Sequence, residues 1–357
     1  MEWVKLGDIA EIRTGKLDAN AAIENGKYPF FTTSKEILRI NDYTYDDEVV
    51  LVAGNGDLNV KYFSGKFNAY QRTYILTKKK NKAIDMRYLY YFLSKYIEVL
   101  RRQSIGGVIK YIKLSNLTEA LVPLLDYEEQ EIVINKFNCL EELITKRREQ
   151  IDALDALVGS VFDSLFKSKE GRPVKLHEHV RVDTNMINDF SKYSNYDYVG
   201  IKNIETISGK LIDVATVGEN NPISGKYVYD ARHVLYSKIR PNLNKVALPS
   251  RPGLLSADAY PLLPNDEIDR IYLAFLLRSN EFLSYAEKHS SRTNIPKINK
   301  KQLGEFRFHL PPIALQNRFA DYVTSIEAQK ESLRSSLSEL ETLFDALMQA
   351  AFSGHLN

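Results

Sequence analysis

Shifted by about 185 residues, the sequence lies on itself. "WVKLGDIAEI" at 3–12 is echoed by "PVKLHEHVRV" at 173–182, and "MRYLYYFL" at 86–93 by "RIYLAFLL" at 270–277. The stretch around Asp57-Leu58-Asn59 returns as Asn242-Leu243-Asn244, and "QRTYIL" at 71–76 as "ADAYPL" at 257–262. "IKLSNL" at 112–117 returns as "INKKQL" at 298–303. Identity within each block is low, but order and spacing are kept. Self-similarity of this length restricts the chain to one plan built twice.

The best-matched block closes each half. With a shift of 186, Gln130 falls on Gln316, Leu154 on Leu340, Leu157 on Leu343 and Phe166 on Phe352. Phe137, Leu140, Ile144, Arg147, Ile151, Leu154, Val158, Val161 and Leu165 are spaced alternately by three and four. Their counterparts are Val323, Ile326, Lys330, Leu333, Leu337, Leu340, Phe344, Leu347 and Ala351. Each series is a heptad seam broken once by a cation, and its only helix breaker is Gly159. Two equal seams in register with a repeat predict an intramolecular coiled coil. At about 1.5 Å per residue, a helix of about 38 residues is roughly 57 Å long. Only a short linker, about Lys167 to Pro173, follows the first helix. The chain is then expected to run from block one along the first helix to block two and back along the second. Antiparallel packing and an approximate two-fold axis follow. The expected boundaries are a first block at 1–127, a central helix at 128–168, a second block at 169–311 and a C-terminal helix at 312–357.

The blocks are mixed. "DEVVLVAG" (47–54), "QRTYILT" (71–77) and "ARHVLYSKI" (231–239) read as strands, whereas 86–103 and 268–289 read as amphipathic helices. The strands cluster instead of alternating regularly with helices, which points to an α+β fold and not to a wound parallel sheet. With 357 residues the chain suits about two domains. Its 44% hydrophobic and 26% charged content is that of a soluble globular protein. There is no run of about 18 apolar residues and no apolar signal core, so no membrane and a cytoplasmic location are expected. The single Cys139 excludes an internal disulfide and any cysteine-based zinc site, in keeping with a reducing compartment.

Charge alternates along the chain. Residues 1–127 carry 19 Lys/Arg against 15 Asp/Glu, and residues 169–311 carry 21 against 16. Residues 128–168 carry 5 against 9, and residues 312–357 carry 3 against 6. Basic blocks joined by acidic helices suggest two surfaces that meet a polyanion.

"HLPPIALQNRF" (309–319) raises the question of an adenine methyltransferase, whose Asn/Asp-Pro-Pro-aromatic motif holds a flipped base. Here His309 and Leu310 precede Pro311-Pro312 and Ile313 follows, so both functional positions are unsuited. "AGNGD" (53–57) is the nearest glycine-rich turn, but it runs into a strand and not into a cofactor-binding helix. The two prolines read as mechanical, ending the last strand of block two, with Pro312 pre-setting the first turn of the helix. Pro123 is their looser echo. No phosphate loop ending in Gly-Lys-Ser/Thr occurs. The six histidines form no metal-ligand cluster, with His177 and His179 alternating on an expected exposed strand. No catalytic, cofactor-binding or metal-binding residue is assigned.

Polar loops follow the helix in each block. "RRQSIGGVIKYIK" (101–113) offers Arg101, Arg102, Gly107, Lys110 and Lys113; "SSRTNIPKINK" (290–300) offers Arg292, Thr293, Asn294, Lys297 and Lys300. "GNGDLNVK" (54–61) supplies Asn55, Asp57, Asn59 and Lys61, with Gln71 and Arg72 beside it, and "SKIRPNLNK" (237–245) supplies Lys238, Arg240, Asn242 and Asn244. Glycines admit close backbone approach, while these side chains can reach phosphates and base edges. Four such loops in matching places on basic blocks point to DNA. Most tyrosines and phenylalanines fall in strand or helix patterns and read as core.

The whole pattern resembles the specificity subunits of type I restriction-modification systems. The likeness covers essentially the full chain and is sharpest in "LPPIALQNRF" (310–319) and "ALMQAAFSGHL" (346–356). It implies two target recognition domains joined by two long antiparallel helices, each reading one half of a split, asymmetric double-stranded DNA sequence. It also implies that the helices set the gap and hold two methyltransferase subunits, which motor-nuclease restriction subunits join. S-adenosylmethionine is then expected on the methyltransferase partner, with no cofactor in this chain. Gln130, Phe137, Leu154, Phe166, Gln316, Phe319, Leu340 and Phe352 are the expected partner-binding helix positions. Helices of roughly 57 Å and about 3.4 Å per base pair limit the half-site centres to about 17 base pairs apart. Different loops, notably Gly106-Gly107 against Arg292-Thr293, imply different half-sites. One departure is the single proline of "VPLLDYEEQ" (122–130), where the first helix begins. The competing classes are a coiled-coil scaffold that binds only protein and a self-sufficient methyltransferase or nuclease. The first explains the helices but not the paired basic loops, and the second lacks its motifs.

Overall fold

The structure, a computed structural model, describes residues 2–168, 170–290 and 295–353. It divides into two compact units, Met1–Gln150 with Leu333–Asn357, and Ile151–Ser332.

In the first unit the apolar stretch "VVLVA" becomes the central strand Tyr45–Ala53 of a six-stranded sheet. The order is Ala10–Thr14, Thr73–Lys78, Tyr45–Ala53, Val60–Ala69, Tyr28–Phe31 and Leu38–Ile40. Neighbours pair antiparallel except Tyr28–Phe31 with Val60–Ala69. Strand alternation sends Val50 and Val52 into one core, with Tyr88, Leu89 and Leu93 of the helix Met86–Gln103. It sends Val49 and Leu51 into another on the opposite face, with Phe31, Phe67 and Ile75. A central strand buried on both faces explains the continuous apolar run.

The second unit repeats this frame. Val180–Val182, Ala259–Pro264, Val234–Ser237 and Val246–Ala247 form a four-stranded sheet in the order of the first four strands above. A further sheet of five strands of two to four residues, within residues 186–255, repeats the outer pairings of the first: Asp197–Val199 runs parallel to Gly253–Leu255 and antiparallel to Ala215–Thr216, as Tyr28–Phe31 does to Val60–Ala69 and Leu38–Ile40. Each unit also carries a two-stranded ribbon, Glu2–Lys5 with Leu121–Leu124 and Arg172–Lys175 with Arg307–Leu310.

The long helices are Tyr127–Phe166 and Ile313–Ser353, and each unit contains a stretch of both. In the first unit Phe137 packs on Phe344 and Phe352, with ring centroids 5.6 and 6.1 Å apart. In the second Phe162 packs on Phe319 at 5.4 Å, and Lys330 pairs with Asp155. The first unit also pairs Arg148 with Glu341 at 2.6 Å, so in both units positions descending one helix meet positions ascending the other and the helices run antiparallel. Lys330 is the buried cation of its seam and also binds Glu327 at 2.6 Å.

Three local expectations change. The helix expected over 268–289 is two, Arg270–Arg278 and Asn280–His289. Ser279 turns extended (φ −64°, ψ 151°) and its hydroxyl caps the second helix by accepting from the Phe282 N–H (3.3 Å). His177 and His179 lie on a single helical turn, Leu176–His179, and not on a strand; the Glu178 carboxylate accepts from the Lys175 N–H (3.2 Å) at its start. Pro311 and Pro312 do end the strand Arg307–Leu310, but the helix starts at Ile313. Pro312 serves as the cap, its carbonyl accepting from the Leu315 N–H at 2.9 Å.

Candidate nucleic-acid interface

In the first unit the segment after the strand Tyr45–Ala53 meets the segment after the helix Met86–Gln103. The Gly56 N–H donates to the Lys110 carbonyl (2.9 Å) and the Ile112 N–H to the Gly54 carbonyl (2.9 Å). Ile105 and Tyr111 exchange two backbone bonds of 3.0 and 2.9 Å, closing a hairpin over 106–110. The Arg101 guanidinium clamps the pair, donating to the Leu58 carbonyl (2.9 Å) and pairing with Asp57 (3.2 Å) and Glu98 (2.5 Å).

The second unit builds the same crossing from other side chains. The Arg240 N–H donates to the Pro296 carbonyl (2.7 Å) and the Ile298 N–H to the Lys238 carbonyl (3.0 Å). On the repeat alignment Gly54 lies on Lys238, Gly56 on Arg240, Lys110 on Pro296 and Ile112 on Ile298. The bond from Ala53 N–H to Asn59 O (2.9 Å) likewise returns from Ser237 N–H to Lys245 O (3.0 Å). Gly56 and Arg240 both take left-handed backbone, with φ of 71° and 49°. The frame is therefore the backbone's, and the side chains it displays are free to differ.

The side chains expected at this surface divide into two groups. Arg72, Arg102, Lys110, Lys113, Arg240, Asn242 and Lys300 are exposed, Lys297 is half-buried, and a Cβ on Gly107 would meet open space. Arg292, Thr293 and Asn294 lie outside the described residues. Others hold the frame. The Asn59 amide donates to the carbonyls of Thr33 (2.8 Å) and Asp57 (2.9 Å), and Lys61 donates to the Ser34 carbonyl (2.6 Å) and to Asn59. Burial lowers the Lys61 pKa. Gln71 donates to Asp18 (2.8 Å), and Asn55 pairs across to Tyr111. Asp57 is exposed, held below the usual carboxylate range by Lys35 and then Arg101. Lys238 is buried with its ammonium 4.9 Å over the Tyr260 ring, and burial and then Lys297 lower its pKa. Asn244 donates its amide to the Arg278 carbonyl (3.0 Å).

Sequence reasoning passed over three contributors. Residues 33–35 are drawn in by Asn59 and Lys61, bringing Lys35 to Asp57 at 3.1 Å. Lys245 anchors the second loop to the Ile201 carbonyl (2.8 Å). Arg278, half-buried, donates to the Val246 carbonyl (2.7 Å), and desolvation of its guanidinium pushes its pKa down to about 10. A cation inside a helix pattern carries no sequence sign of burial.

The helix positions expected to touch partners are mostly consumed within the chain. Gln130 is fully buried: its amide donates to the carbonyls of Ala83 (2.8 Å) and Leu125 (2.9 Å) and its oxygen accepts from the Asp85 N–H (2.8 Å). Gln316 repeats this with Glu267 (3.1 Å), Pro311 (2.8 Å) and the Asp269 N–H (2.9 Å). Phe137, Phe319 and Phe352 are buried, and Leu154, Phe166 and Leu340 are half-buried. The glutamines clamp each helix start to its own sheet domain, a role that requires burial and leaves them no surface for a partner.

Two matched displays of polar and cationic side chains, each on its own copy of the same backbone frame, define a binding protein that presents two different surfaces. A family model described as "Type I restriction modification DNA specificity domain" matches residues 1–153 and 177–342. The chain belongs to that family, and is a DNA sequence-recognition subunit of a type I restriction-modification system, the non-catalytic specificity component. It is 30% identical to the type I restriction enzyme EcoDI specificity subunit of Escherichia coli, over 100% of this chain and 89% of that one. It is 23% identical to the MjaVIII specificity subunit of Methanocaldococcus jannaschii, over 99% and 92% of the two chains. The fold matches the crystal structure of an S subunit from M. genitalium, with a TM-score of 0.63 at 17% identity, covering 99% of this chain and 96% of that one. A chain from a structure of type I system assembly and conformational transition matches with a TM-score of 0.60 at 17% identity, covering 99% and 98%. Among the described residues no helix is long and apolar enough to cross a membrane.

Proposed function

We propose that each unit reads one part of a split, asymmetric double-stranded DNA sequence through its crossed loop pair. The observation that carries this reading is the repeated pair of backbone bonds, Gly56 to Lys110 with Ile112 to Gly54, and Arg240 to Pro296 with Ile298 to Lys238. One frame bearing unlike side chains suits two half-sites of unlike sequence. Exposed cations would neutralise phosphates, and Asn242 and its neighbours would meet base edges. The long helices would fix the unread gap and dock two methyltransferase subunits, with motor-nuclease restriction subunits joining them. S-adenosylmethionine would be carried by the methyltransferase partner.

The test is the affinity of the full chain for a duplex across a salt series. Phosphate binding gives a log–log slope of about −0.9 for each phosphate neutralised. A steep negative slope supports the reading. Absence of binding at low salt would leave a scaffold that binds only protein.

A further inference from the structure

The hairpin closed by Ile105 and Tyr111 carries two adjacent aliphatic side chains at its tip. Val108 is fully exposed and Ile109 is 62% exposed. Single exposed aliphatics are ordinary, but this pair is held out by its backbone. Gly106 has φ of 117°, and a Cβ there would come within 2.5 Å of the Ile109 carbonyl, so the turn needs glycine. The Lys110 carbonyl, next in the chain, is tied to the Gly56 N–H at 2.9 Å. The tip is thus fixed to the first unit's display, and the exposed Lys110 and Lys113 belong to the same loop, with the exposed Arg102 in the last turn of the helix that leads into it.

An aliphatic tip in a cationic rim suits a surface with charge at its edges and an apolar group within. The major groove offers that arrangement: phosphates flank it, and the thymine C5-methyl is its apolar group. We propose that Val108 and Ile109 are specificity-determining residues that pack on a thymine methyl in the half-site read by the first unit. The inference rests on the DNA-reading function proposed above. On the repeat alignment Ile109 falls on Ile295, but the residues beside it differ, so the preference belongs to one half-site.

The test is selection by the full chain from a random-sequence duplex pool, prepared once with thymine and once with uracil, which lacks the methyl. With thymine, the parent should enrich a two-part motif that includes a thymine in one part. One buried methyl is worth about 0.8 kcal/mol, or about four-fold. That preference should fall by about this factor in the uracil pool, and again for the double variant Val108→Ser/Ile109→Ser with thymine. The other half-site should be unchanged. Both substitutions lie on an exposed tip, and an intact second half-site certifies the fold. An unchanged motif in the variant, or a variant that weakens binding while the parent ignores uracil, overturns the proposal. A parent that enriches no motif from either pool overturns the DNA-reading function itself.

Discussion

Arg240 holds left-handed backbone (φ 49°) where its counterpart in the first unit is glycine (Gly56, φ 71°). A side chain in that region costs roughly 1–2 kcal/mol, while glycine loses about 0.5–1 kcal/mol through the freedom of the unfolded chain. Arg240→Gly should therefore leave stability within about 1 kcal/mol of the parent, as measured by denaturant unfolding. DNA affinity should nonetheless fall, and the salt slope should become shallower by about 1. Unchanged affinity would mean that the strained arginine is not held for its charge. This residue was legible as a basic loop position, but its strain was not, because positive φ at a non-glycine residue follows from the crossing bond to Pro296. Gln130 and Gln316 show the opposite error. Their equivalence is plain in the sequence, yet a polar residue near a helix start reads as surface, and only the three bonds each makes reveal a buried clamp.

At the scale of elements, the two long helices and their seams were legible because a heptad period persists over about 30 residues. The break at Ser279 was not, because serine is tolerated in a helix and the pattern on both sides stays amphipathic. The seam's own irregularity carries a prediction. The Lys330 side chain is 5% exposed, while its partners Asp155 and Glu327 are 58% and 51% exposed. Replacing the lysine by an apolar residue removes one buried charge and leaves two carboxylates in water, so Lys330→Met should change stability by less than about 1.5 kcal/mol. Lys330→Glu instead buries a third carboxylate against the other two and should cost about 3 kcal/mol or more at neutral pH. The introduced carboxyl has its folded pKa raised above the unfolded value. Its cost is therefore full above the folded pKa, shrinks as pH falls through that pKa, and is gone below the unfolded value. Denaturant melts at neutral and acidic pH check both variants. Equal stability of Lys330→Glu and parent would show that the seam opens at this position.

For the whole molecule, the repeat was the most legible property, and the recurring strand order and crossing bonds express it in three dimensions. What escaped the sequence is where the copies diverge. The strands Tyr45–Ala53 and Val60–Ala69, continuous in the first unit, return in the second split between two sheets, as Lys226–Tyr229 with Val234–Ser237 and Val246–Ala247 with Gly253–Leu255, pieces of two to four residues that are too short to show a period. Divergence on a shared frame makes the two readings separable, and a charge reversal in one copy tests this. Lys110 is exposed on the first unit's hairpin, and its carbonyl, not its side chain, holds the crossing bond from Gly56. Lys110→Glu should therefore preserve the frame and weaken binding. It should reduce the salt slope by up to about 2, because a cation that neutralises a phosphate gives way to an anion that repels it. Lys297→Glu should do the same through the second unit, whose Ile298 N–H and Lys238 carbonyl hold the crossing beside it. Gel-shift titrations against a selected duplex, and against duplexes scrambled in one half-site at a time, assign each loss. If the units read separately, scrambling the first unit's half-site should no longer discriminate against Lys110→Glu but should still discriminate against Lys297→Glu. If each variant responds to both scrambled duplexes as the parent does, these two lysines stand outside the reading surface.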